Sequence, residues 1–274
     1  MLSRGLIAWA AALAVVPASA QEIARGPADP ATRELSTDRP DKTESPFTVP
    51  AGRVQVEADL VGYTREREAG VEATLLNVAT TNLKFGIARN ADLQVIAAPY
   101  LRATVTDRVT GARDRVEGVG DVTVRLKRNL WGNDGGTTAL ALMPFVTLPT
   151  AKDGLGAGKA EFGLIVPFAL ALSERVGLGA MTEIDAVGDS DGDGYQASFI
   201  NSATVSAELT ERLGGYVELF TERGTARGER WIVTGDLGVT YALTEETQLD
   251  AGANIGLTRA ADDLNVFVGV SRRF

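Results

Sequence analysis

From about residue 53 onward, apolar and polar residues alternate in runs of roughly ten, broken by Gly, Asn, Asp and charged pairs. That period-two pattern predicts strands with one dry and one wet face. Twelve strands are expected, over residues 53–63, 75–86, 92–103, 120–130, 138–148, 161–173, 177–187, 196–209, 214–222, 231–243, 247–257 and 264–274. The first is typical: Val54, Val56, Ala58 and Leu60 oppose Gln55, Glu57 and Asp59. The second and fifth alternate poorly.

The connections alternate as well. Those around Arg89-Asn90, Glu174-Arg175, Glu211-Arg212 and Glu245-Glu246 are short, whereas residues 64–74, 104–119, 149–160, 188–195, 223–230 and 258–263 form a longer set. The 131–137 turn is a mild exception on the short side. Short turns on one rim and long loops on the other are a habit of outer-membrane barrels, in which the short turns are periplasmic. An even strand count puts both termini on the short-turn rim. The expected fold is therefore all-β, a transmembrane antiparallel β-barrel of twelve strands with both termini periplasmic. About 19 residues per strand plus connection leaves strands near the nine to eleven needed to cross a bilayer.

Composition narrows the chemistry. The 274 residues include no histidine and no cysteine, which removes Ser-His-Asp and Cys-His catalysis, disulfides and the usual zinc and iron-sulfur ligands. The start, MLSRGLIAWAAALAVVPASA, has a basic residue, an apolar run and an Ala18-Ser19-Ala20 exit, the layout of a secretory signal peptide over residues 1–20. The alternative is a membrane anchor, for which the apolar run is too short. Loss of Arg4 leaves 26 basic against 36 acidic residues, a poor balance for nucleic-acid binding. No later stretch is long and apolar enough for a membrane helix, and a mean hydropathy of +0.01 suits a barrel whose two faces cancel. Sec export to the outer membrane of a Gram-negative bacterium is the expected destination, with outer-membrane lipids as surroundings.

Residues 21–52 differ from the remainder, holding five of the ten prolines and little periodicity. Two readings stand open: a plug folded into the lumen, or a periplasmic tail leading into a barrel over residues 53–274. The string TDRPDKTESPFTVPAGRVQVE, which carries Asp38, Arg39, Pro40, Asp41, Lys42 and Glu44, resembles the "putative MetA-pathway of phenol degradation" family of transporter-type outer-membrane proteins. The resemblance extends over most of the chain after the signal. It implies a channel-like barrel for passive uptake or efflux of small molecules, aromatic ones among them through the family name. The terminal Phe274 resembles the carboxy-terminal signature read by the barrel assembly machinery, although Arg272 departs from it.

If the polar parity faces the lumen, it is lined by Glu57, Asp59, Glu183, Asp185, Glu208, Glu218, Glu222, Asp236 and Asp250 against Lys84, Arg102, Arg125 and Lys127. Such a lining is either a charge-selective solute path or a set of ion pairs filling a narrow barrel. Asp189, Asp191 and Asp193 match the first half of a calcium loop, where alternate carboxylates converge on a hard cation, but the closing Glu is replaced by Ile200. The other cofactor expectation is none. Gly154 to Lys159 is glycine-rich without the Ser/Thr or helix of a phosphate cradle. The outer-membrane phospholipase, also twelve-stranded, needs a histidine that this chain lacks. Acid pairs Glu183/Asp185 and Glu218/Glu222 carry no catalytic mark, so the chain reads as a non-enzyme. The alternative to a channel is a non-conducting, adhesin-like barrel acting through its loops.

Overall fold

The computed structural model describes residues 33–189 and 194–274, so the expected signal peptide, Asp191 and Asp193 lie outside the described residues. Among the described residues there is no helix, and fourteen β segments follow one another: β1 (Val54–Glu68), β2 (Val71–Ala88), β3 (Ala91–Ala97), β4 (Tyr100–Asp107), β5 (Arg113–Gly118), β6 (Val122–Trp131), β7 (Thr138–Leu148), β8 (Glu161–Ala171), β9 (Val176–Gly188), β10 (Tyr195–Glu208), β11 (Leu213–Gly224), β12 (Ile232–Thr244), β13 (Thr247–Gly256) and β14 (Leu264–Arg273).

These make twelve wall strands. Both β3 and β4 pair with β2 in one continuous register, from Thr81 opposite Ala97 to Val78 opposite Tyr100. Across from them β6 pairs with β3 and β5 with β4. Each couple is thus one long strand interrupted once, at Ala98-Pro99 and at residues 119–121. Proline has no N–H to give to a ladder, which accounts for the first interruption. Every pairing is antiparallel between neighbours, and β1 bonds to both β2 and β14, so the sheet closes and leaves no edge.

The long-loop rim is less looped than the sequence suggests. Residues 64–74 continue β1 and β2 to a tight turn at Ala69-Gly70, both at positive φ, and residues 104–119 are mostly β4 and β5. Charge density made these stretches read as loop, but their charges pair across the hairpin, as Arg67 does with Glu72 at 2.5 Å. The wall therefore stands higher here than a bilayer requires.

Side-chain parity switches twice in this region, which is why the second strand alternates badly. In β1 the inward set Gln55, Glu57, Asp59 passes to Gly62 and Thr64 across a bulge at Leu60, and both Leu60 and Val61 are exposed. In β2, Ala79 adopts φ 58°, and the inward set changes from Leu75 and Asn77 to Thr80, Asn82 and Lys84. Apart from the break at Pro99, the alternation holds elsewhere. The outer surface carries Leu126, Ile184, Val205, Val217, Leu237 and Val268, all well exposed. Aromatic residues flank this band, with Trp131, Tyr241 and Phe274 towards the rim that bears the carboxy terminus and Phe162, Tyr195 and Trp231 towards the other. An apolar belt between two aromatic girdles is the outer surface of a barrel that lives in lipid.

Candidate functional site

Residues 33–52 run inside the barrel. They enter at the rim where β1 begins, climb to about mid-height and return to Val54. Almost all are buried although they are rich in charge: Asp38, Arg39, Asp41 and Glu44 are each 1 % exposed or less. Taking such charges from water is tolerable only where each meets a partner.

The wall supplies those partners to all but Asp41, both of whose carboxyl oxygens lack a hydrogen bond. Asp38 receives Lys127 Nζ at 2.5 Å and Gln94 Nε2 at 3.2 Å, and it also pairs with Lys84, which lies between Asp38 and Glu57. Its own N–H donates to both Glu57 oxygens, at 3.1 and 3.0 Å. Burial by itself raises the Asp38 carboxyl, but Lys127 and Lys84 outweigh it and hold the group well below the usual carboxylate range. Arg39 grips Asp250 with two nitrogens, Nη2 at 2.7 Å and Nε at 3.1 Å, and pairs with Asp59 through the third. Its guanidinium lies over the Phe267 ring, 5.4 Å from the centroid. Lys42 reaches Thr234 Oγ1 at 2.8 Å and Asp236 at 3.3 Å, above the Phe220 ring. Glu218 accepts the N–H groups of Lys42 and Thr43 at 2.9 and 2.7 Å, and Glu44 pairs with Arg125. Burial, reinforced by Glu218, pushes the Asp41 carboxyl well up, which favours its neutral form.

Most of the residues expected on the lumen side are therefore gathered around this segment: Glu57, Asp59, Lys84, Arg125, Lys127, Glu218, Asp236 and Asp250. Two others are not. Glu208 sits half-buried near the terminal rim, and its backbone N–H donates to Arg175 O at 2.9 Å. Arg102 is a correction: it lies on the outside, bonded to Tyr100 Oη at 2.6 Å and Glu117 at 3.3 Å. The interruption at Pro99 reverses parity, so that Leu101 rather than Arg102 points inward, against Leu155. Asp189 donates its backbone N–H to Gly194 O at 3.0 Å, and the other two residues of the expected calcium loop are outside the described set. Phe274 exchanges backbone hydrogen bonds with Val54, at 2.8 and 3.4 Å, as the last rung of the wall.

Sequence reasoning missed several contributors. Asp92, Asn129 and Asn133 hold the returning half of the segment, accepting from Val49 N–H at 2.9 Å, donating to Pro46 O at 2.9 Å, and accepting from Thr48 N–H at 3.0 Å. Two glycines make room for it. A Cβ on Gly86 would stand 1.9 Å from the Pro50 carbonyl oxygen, and one on Gly269 would stand 2.1 Å from the Arg39 guanidinium. Also missed was a cluster of inward apolar side chains at mid-barrel, Met143, Ile165, Met181, Ile200 and Phe220. On β7 and β8 both parities are apolar, so alternation alone could not assign them.

On the far side of this cluster from the terminal rim lies a cavity of about 130 Å³. Apolar side chains such as Phe145, Ile165 and Ile200 share its lining with Glu183, Asp185, Glu222 and Arg125. The 149–160 connection folds inward over one side of it, with Leu155 buried against Ala98 and Leu101. The loop is held there by Asp121, which accepts N–H groups from Ala151 at 2.8 Å and Ala157 at 2.9 Å.

Residues 37–274 match the model of the family described as "Putative MetA-pathway of phenol degradation". The chain belongs to that family. No curated protein matches it. Among solved structures it is similar to the COG4313 outer membrane channel from Pseudomonas putida F1, at 15 % identity and a TM-score of 0.62, over 87 % of this chain and 100 % of that one. The transport unit of the autotransporter AIDA-I from Escherichia coli is also similar, at 11 % identity and a TM-score of 0.53, over 80 % of this chain and 89 % of the other. With the girdled apolar belt and the closed sheet, these likenesses establish an outer-membrane β-barrel.

Proposed function

We propose that the protein is a channel of the Gram-negative outer membrane that lets small molecules pass passively, with residues 33–52 as a plug in its lower half. The observation that supports this best is the division of the lumen. One half is filled by a segment whose charges, Asp41 apart, are paired with the wall, whereas the other keeps an amphipathic cavity with a mixed acidic and apolar lining. In this reading the termini face the periplasm, the wall is surrounded by outer-membrane lipid, and Phe274 is the signal read by the assembly machinery. The protein performs no catalysis on what passes, and the family name together with the size of the cavity points to solutes of about one aromatic ring.

The filled half favours a second reading, a non-conducting barrel acting through its loops. Single-channel recording of the refolded full chain, with solute flux into liposomes, separates the two. Small, discrete conductance steps are expected, and a chain lacking residues 33–50 should conduct several-fold more. Absence of both current and flux would leave the second reading standing.

A further inference from the structure

The cavity has an imbalance of charge that the plug does not correct. Glu183 and Asp185 are 5 % and 9 % exposed, they line the same space within hydrogen-bond reach of each other, and no N–H or O–H of another residue reaches Glu183 Oε2 or Asp185 Oδ1. The nearby carboxylates are engaged elsewhere: Glu222 accepts from Ser198 Oγ at 3.2 Å, Glu161 from Gly188 N–H at 3.0 Å, and Asp121 from the 149–160 loop. Arg125, the one basic residue in the lining, is committed to Glu44 of the plug. A buried carboxylate without a partner is costly, and two beside each other are more so. Beside them the wall is apolar: Ile165 and Ile200 flank Glu183 on the two neighbouring strands, and Phe145 lies next to Asp185 over Gly163.

We infer that this cavity is a binding site for a small organic cation, a protonated amine carrying a compact apolar or aromatic body. The ammonium would lie between Glu183 and Asp185, with its N–H groups donating to the two vacant oxygens, and the body would lie against Phe145, Ile165 and Ile200. An ammonium offers three donors on one centre, which suits two convergent carboxylates better than a neutral hydroxyl does. The volume suits a single ring, since a cavity of roughly 150 Å³ lined by apolar side chains takes up benzene. The inference rests on the channel reading for its biological sense, because it names the solute class of that same lumen, but its test does not depend on transport.

Binding is measured by isothermal titration on the refolded full chain in detergent, with benzylamine, benzyl alcohol and benzoate as probes at pH 7. Benzylamine is expected to bind at least about tenfold more tightly than benzyl alcohol, the difference that one charged hydrogen bond supplies, and benzoate is expected not to bind. Combining Glu183→Gln with Asp185→Asn should abolish that preference while the β-sheet circular dichroism stays as in the wild type. Equal binding of benzylamine and benzyl alcohol would overturn the inference, as would displacement of benzylamine by millimolar calcium, which would mark the acids as an inorganic cation site. The comparison of probes needs only the wild-type chain, so a variant that fails to fold does not spoil it. Conductance without amine preference would sink the inference alone and leave the channel reading intact.

Discussion

Arg39 shows what a single side chain does in this lumen. Its guanidinium is buried, bidentate to Asp250 and paired with Asp59, so removing one acid leaves a charge that water cannot reach. Asp250→Asn is expected to cost about 3–5 kcal/mol, the usual penalty for breaking a buried pair from one side, read as a lowered unfolding temperature in detergent. Gly86 acts by absence. Because a Cβ would strike the backbone at Pro50, Gly86→Ala must displace the plug where it meets β1. The expected result is higher conductance with unchanged β-sheet signal, and unchanged conductance would show that the plug tolerates the shift. At the opposite rim, burial in the 258–263 connection raises the Asp262 carboxyl to about 6, helped by Glu66 and Asp263 and opposed by Lys42. A group whose folded pKa is raised stabilises the fold below its unfolded value and loses that contribution as pH climbs through the folded one. Thermal stability should therefore fall between about pH 4 and pH 7, and Asp262→Asn should flatten that part of the profile.

At the scale of elements, the sequence announced most of the wall because lipid outside and polar lumen inside enforce strict alternation. It misled where the physics behind alternation is suspended. Leu60, Ala79 and Pro99 each interrupt the pleat, and a one-residue slip sends every later side chain to the other face. That is how Arg102 came to be expected inside. The hairpin tops were misread for a different reason: above the membrane both faces of a strand are wet, so period-two contrast fades and charge resembles loop. The carboxy-terminal strand belongs to the legible part, since Val266, Val268 and Val270 alternate cleanly up to the final residue. Phe274→Ala is expected to lower the amount of protein reaching the outer membrane several-fold in cells while purified chain still refolds in detergent. Equal loss in both settings would mean that Phe274 matters only as wall.

For the whole molecule, the division of the lumen was the part least open to sequence reasoning. The prolines marked residues 21–52 as unlike a strand, yet whether the described part, residues 33–52, lay inside or below the barrel depended on partners scattered from Glu57 to Asp250. No local spacing joins Asp38 to Lys84 and Lys127, or Glu44 to Arg125; only closure of the sheet does. The apolar cluster and the cavity beyond it are likewise properties of strands meeting across a barrel.

Closure itself gains a new aspect from Arg39. The two acids it holds stand on β1 and β13, and the ring beneath it on β14, so one residue of the plug spans the junction where the first and last strands join. That junction is the step that turns a curled sheet into a ring, and it is fastened from within by a segment belonging to neither strand. Docking of the plug and sealing of the wall are thus coupled: a chain deprived of its plug has a weaker seam, and a chain with an open seam has nowhere to seat its plug. Biogenesis of this barrel is consequently a zipper whose fastener is sewn to its own first tooth.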